Sequence, residues 1–234
     1  MVHDFSNRPV VIVLHGSSVK TLEDNIKKYE DLNITYCSLN HFSLLEKNIL
    51  SKINKQLQLV YISACDEFLL RKKEIEEFIA RENSIFLTTP QTIWESESEE
   101  FFNKNNSKIS FAKLHMFRPE IYPNSLTILL MYLIRHKARK IGIFGFDGIS
   151  EVEPEQIKET YYHKEDFKPD RNWNLVEDTK NFNKYFLDLL YKVEDESTIK
   201  RTVNITNFNP KSNITAFRKL PMSGFREWYS TIGL

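Results

Sequence analysis

The sequence predicts an α/β protein: a mostly parallel sheet with helices on both faces, formed as one domain over 1–234. Two observations carry this. Short apolar, β-branched runs alternate with amphipathic stretches along the chain, and parallel strands need crossover helices that cover the sheet. Several of the runs also end in small polar residues that turn straight into a helical pattern, the arrangement by which such sheets present ligand sites at strand C-termini.

Val10-Val-Ile-Val-Leu14 predicts a strand over 9–14. Leu22, Ile26 and Tyr29 recur at helical spacing and predict a helix over 21–30. A strand over 34–38 and a helix over 43–53 follow. The next strand spans 57–62, and a helix over 67–81 directs Phe68, Leu69, Ile75, Phe78 and Ile79 inward. Strands are expected over 84–88 and 108–113, a strongly apolar helix over 125–136, and a strand over 140–145 that ends in Gly145-Phe-Asp-Gly148. A long helix over 175–193 places Phe182, Phe186, Leu189 and Leu190 on one face, before a late strand over 202–206. The segment 217–229 reads as a packed terminal helix with Leu220, Phe225 and Trp228 inward. Its other reading is a basic, aromatic surface for a membrane or an acceptor lipid.

The 32 basic and 32 acidic side chains cancel, so no global basic field points to nucleic acid, and an anionic ligand must be held locally. Cys37 and Cys65 lack metal-ligand spacing and read as reduced thiols, as in a cytoplasmic protein. No apolar run approaches the roughly 18 residues of a membrane span. The acidic stretches 95–100 and 151–155 read as solvated loops or helix starts.

The strand ends supply the candidate site. The first gives His15, Gly16, Ser17 and Ser18; the second Ser38 and Asn40; the third Ser63; the strand over 140–145 gives Gly145 and Asp147. Glycine lets backbone approach a ligand, and amides with serine hydroxyls at a helix start suit phosphate. His15-Gly-Ser-Ser18 is therefore either a phosphate cradle or a turn that caps an ordinary helix. It matches neither the Walker loop nor the GxGxxG fingerprint. Asp147 reads as a functional carboxylate or a turn cap, and Asn40 as a ligand contact or a turn residue. Thr160-Tyr-Tyr-His163 lies in an irregular stretch, where His163 is either a general base or a surface histidine.

In this order the pieces resemble the bacterial sialyltransferases of glycosyltransferase family 42 and their Rossmann-like relatives. The family's opening strand ends in a GNGPSL-like loop, which the stretch from Val10 to Glu23 resembles, with His15 in place of asparagine and Ser17 in place of proline. Ser38-Leu-Asn-His-Phe42 is similar to the family's Cys-Asn-Gln-aromatic segment and puts Asn40 on its asparagine; a further family asparagine falls on Ser63. Asn124-Ser-Leu through Gly145-Phe-Asp147 resembles the family's Thr-Ser-Gly helix start, helix, strand and Gly-Ile-Asp, which brings in Ser125. The stretch from Asn204 to Phe217 resembles its C-terminal strand and turn. The family's tyrosines follow soon after Gly-Ile-Asp, whereas here Gly148 and Ile149 follow, and the nearest tyrosines are Tyr161 and Tyr162.

The resemblance implies transfer of a nonulosonic acid from a CMP-activated donor to a glycan hydroxyl, with inversion. His15, Gly16, Ser17, Ser18, Asn40, Ser63, Ser125, Gly145 and Asp147 would then hold the nucleotide. Tyr161 and Tyr162 would stabilise the leaving phosphate and His163 would act as base, with 148–174 as lid or acceptor-side insertion. No cofactor is implied. No metal is expected either, since no Asp-x-Asp pair ends a strand. A nucleotide-sugar donor and a glycan acceptor are the implied partners, peripheral contact with the inner membrane face and a homo-oligomer are compatible, and nucleic acid is not expected. The competing readings are a Mg-ATP-dependent pyrophosphokinase of the pterin type and a non-catalytic nucleotide- or glycan-binding protein.

Overall fold

The structure, a computed structural model, describes residues 3–112, 124–149, 162, 175–191 and 203–231, with side chains left out at 175 and 187–191. Strand β1 (Val10–Val13) lies inside the sheet, flanked by β2 (Thr35–Leu39) and β6 (Lys140–Phe144). The eight-stranded order is β5-β4-β3-β2-β1-β6-β7-β8, with β3 (Leu59–Tyr61), β4 (Ile85–Thr88), β5 (Ile109–Phe111), β7 (Asn204–Asn207) and β8 (Arg218–Lys219). Every pairing is parallel.

The four β1 residues are all 0% exposed, because the sheet is covered on both faces. Val11 and Val13 enter one apolar cluster, Val10 and Ile12 the other, as the period of two along a strand requires. The first cluster is closed by α1 (Val19–Asn25), α2 (Phe42–Asn48), α3 (Cys65–Leu70), α4 (Lys72–Ile79), α6 (Glu99–Lys104) and, past β8, α9 (Phe225–Ser230). The second is closed by α7 (Ser125–Arg135) and α8 (Leu175–Tyr191), through Leu129, Leu133, Phe182 and Phe186. The short α5 (Pro90–Glu95) begins with a Thr89 side-chain cap and a proline in its first turn.

Chain order runs outward from β1 in both directions, so the reversal falls between β1 and β6. In an open α/β sheet that is where a crevice forms at the strand C-termini.

Several local results differ from the sequence expectation. The helix over 67–81 is two helices, with Arg71 between them at φ −113° and ψ 14°. Glu67 and Arg71 turn inward, 3% and 7% exposed, while Leu69 turns outward at 49%. Helices over 21–30 and 43–53 tighten into 3₁₀ turns at Ile26–Tyr29 and Leu50–Ile53. The terminal segment, expected as a helix over 217–229, is helical only from Phe225, after β8 and a 3₁₀ turn at Met222–Gly224; it packs inward through Phe225 and Trp228, and Lys140 donates to the Tyr229 carbonyl at 3.0 Å. Cys37 is buried and Cys65 partly so, both as free thiols. Among the described residues no helix is long and apolar enough to cross a membrane.

Candidate active site

The loops after β1 and β6 interlock at the reversal. Leu14 N–H donates to the Phe144 carbonyl at 2.8 Å and Gly16 N–H to the Gly145 carbonyl at 2.9 Å, carrying the pairing past the strands. Glycine is required at both positions. A Cβ on Gly16 would sit 2.5 Å from the Gly145 oxygen and 2.7 Å from Asp147 Oδ2, and Gly145, at φ +74°, would drive its own Cβ into the Leu14 carbonyl.

Asp147 then reaches back to the start of α1. Its carboxylate accepts Ser18 N–H at 2.9 Å, the Ser18 hydroxyl, the Ser17 hydroxyl at 3.3 Å and Asn209 Nδ2 at 2.9 Å. Helix α1 has no acidic residue in its first turn and no side-chain cap from Ser18, so a carboxylate from 129 residues away supplies the negative group that a helix start favours. The cradle and the cap foreseen for His15-Gly-Ser-Ser18 draw on the same physics. In this structure Asp147 is the cap.

Beside this junction, on the α7–α8 face, lies a cavity of about 200 Å³. Its walls include His15, Gly16, Gly145, Asp147, Asn124 and Asp178, and Phe146, Phe182 and Ile214 make it largely apolar. His15 Nε2 lies 3.2 Å from the Leu39 carbonyl, and its ring stands edge-on to His41 with centroids 5.5 Å apart. Behind His41 sits a buried charged group: the Arg71 guanidinium contacts the His41 ring, and Arg71 Nε is 3.2 Å from Glu67 Oε2. Asp178 stands at the cavity rim, exposed on its outer side. Burial, and then the neighbouring Glu177, pushes its carboxyl up from the usual value. A larger cavity, about 510 Å³, opens on the other side of Asp147, past Ser17, Ser18, Thr21 and Lys211.

The remaining sequence candidates divide. Ser63 and Ser125 are brought together, their hydroxyl oxygens 3.4 Å apart, where β3 ends and α7 begins under its Asn124 cap. Asn40 has φ 44° and donates its N–H to Tyr61 O at 3.2 Å, so it makes the turn after β2. Tyr162 docks on the β1 loop: its N–H donates to the His15 carbonyl at 2.7 Å and its phenol to Glu23 Oε2 at 2.6 Å. Burial and the Glu23 carboxylate together push that phenol up. Tyr161 and His163, with most of 148–174, lie outside the described residues. Asp178 and Thr179 also line the cavity, with no signal in the sequence to mark them. The Ile149 N–H donates to Thr179 Oγ1 at 2.9 Å, a contact between segments 30 residues apart that no local pattern announces. Among the described residues no cluster of His, Cys, Asp or Glu could hold a metal ion.

The fold is that of the sialyltransferase resemblance. A solved structure of a point mutant of the α-2,3/8-sialyltransferase CstII is similar at a TM-score of 0.51 and 15% identity, over 91% of this chain and 86% of that one. No protein-family model matches the sequence, and no curated protein matches it either.

Proposed function

We propose that this protein is a sialyltransferase-like glycosyltransferase that moves a nonulosonic acid from a CMP-linked donor to a glycan hydroxyl, with inversion and without a metal ion. The observation that carries the reading is the cavity at the β1–β6 reversal. There the two loops resembling the family's nucleotide loops meet through Gly16 and Gly145, in a sheet whose likeness to a sialyltransferase spans 91% of the chain.

In this reading the nucleotide enters beside His15, Gly16 and Gly145, with Asn40, Ser63 and Ser125 at the neighbouring strand ends. Ser17, Ser18 and Asp147 fix the loop geometry. As the glycosidic C–O bond to the phosphate breaks, its electron pair leaves with CMP, and the acceptor oxygen attacks the anomeric carbon from the opposite side and gives up its proton. The resemblance assigns the leaving phosphate to Tyr161 and Tyr162 and the proton to His163.

A second reading, a non-catalytic nucleotide- or glycan-binding protein, is favoured by one contact. The Tyr162 phenol donates its proton to Glu23 Oε2, so that donor is already engaged. CMP release from CMP-N-acetylneuraminic acid, followed with water alone and with lactose, separates the two. Turnover that persists in a chelator supports the transferase; CMP binding without turnover supports the binding protein. Turnover only of Mg-ATP would replace both with the pyrophosphokinase.

A further inference from the structure

Among the described residues, the cavity at the β1–β6 reversal has three titratable groups in its walls, and they are not equivalent. Asp147 already accepts from Ser17, Ser18 and Asn209. His15 has one ring nitrogen against the Leu39 carbonyl. Asp178, at the mouth between the cavity's apolar wall and solvent, is the carboxylate held by no hydrogen bond or ion pair among the described residues. Its helix is tied to the loop after β6: Thr179 Oγ1 accepts the Ile149 N–H at 2.9 Å and Phe182 packs edge-on against Phe146. The carboxylate therefore stands on a rigid element over a largely apolar space, at a point where a hydroxyl can enter from solvent.

We infer that Asp178 is the base that takes the acceptor hydroxyl's proton, in place of His163; this rests on the glycosyl-transfer reading above. The acceptor O–H proton passes to an Asp178 carboxylate oxygen as the acceptor oxygen bonds the anomeric carbon. The C–O bond to the phosphate breaks and CMP leaves with the electron pair, after which Asp178 returns the proton to water. A base in a partly desolvated place is better matched to this work than a fully solvated carboxylate, and burial moves Asp178 in that direction. Among the described residues, His15 and Asp147 line the same cavity and Glu177 stands beside it on its own helix. Helix α7, packed against α8, has its basic residue, Arg135, in its last turn.

The test compares wild type, Asp178→Asn, Asp178→Glu and His163→Ala in CMP release from CMP-N-acetylneuraminic acid, with calorimetric CMP binding and melting temperature measured on each. Asp178→Asn is expected to lower kcat by about 10²-fold or more with CMP affinity and melting unchanged, and to abolish the acidic limb of the kcat pH profile. Asp178→Glu should restore part of the rate. The inference is overturned if Asp178→Asn keeps its rate and its acidic limb while His163→Ala loses turnover, and equally if rate and CMP affinity fall together. Wild type that binds CMP but releases none from the donor removes the transfer reading itself, and the role of Asp178 with it.

Discussion

Asp147 Oδ2 accepts the Ser18 backbone N–H at 2.9 Å, a bond across 129 residues of sequence that ties the loop after β6 to the helix after β1. The same carboxylate holds Asn209, so three strand ends depend on one side chain. Asp147→Ala removes charge-assisted bonds and leaves helix α1 without its cap; the loss expected in urea denaturation is about 1.5–3 kcal/mol. Asp147→Asn, which can still accept on one oxygen, should lose less.

The Glu67–Arg71 pair is buried and stands behind His41, which in turn touches His15. Removing one partner strands the other charge in the interior, so Arg71→Ala should destabilise by about 3–5 kcal/mol. The double variant Glu67→Leu with Arg71→Met should be far closer to wild type in denaturant, because no uncompensated charge remains. Equal losses in the two would show that the contact with His41, rather than the ion pair, dominates.

Glu23 links the β1 loop helix to Tyr162. Burial pushes its carboxyl up, but hydrogen bonds from Lys20, Lys52 and Tyr162 outweigh that and hold it at about 2. A depressed folded-state value contributes stability that is present above the unfolded value of 4.5 and is lost as pH falls towards 2. Melting temperature should therefore drop between pH 4.5 and pH 2 more steeply in wild type than in Glu23→Gln. Tyr162→Phe should reduce the same drop in part, since it removes one of the bonds.

The sheet was legible because β1, β2 and β6 are buried along their whole length, β1 reading as an unbroken apolar run and β2 and β6 as largely apolar ones. Helix ends were less so. The stretch around Arg71 looks like a solvated charged face in sequence, and only a buried partner, Glu67 one turn earlier, makes it an interior break. The candidate site was legible where loops carry glycine, at Gly16 and Gly145, since the close approach of two backbones demands that residue. Asp147 and Ser18 each stood out by position, but the bond between them did not, because it spans 129 residues. Asp178 was hidden for a related reason: in sequence it is an ordinary acidic residue in a helix's first turn, and only the folded chain sets it at the rim of the His15 cavity.

The central claim is that the cavity between the β1 and β6 loops takes CMP without a metal. Calorimetric titration with CMP in chelator, set beside UDP and ATP with and without Mg²⁺ and repeated on His15→Ala, tests it directly. The account predicts metal-independent CMP binding that His15→Ala weakens. No CMP binding, or binding of Mg-ATP alone, would contradict it.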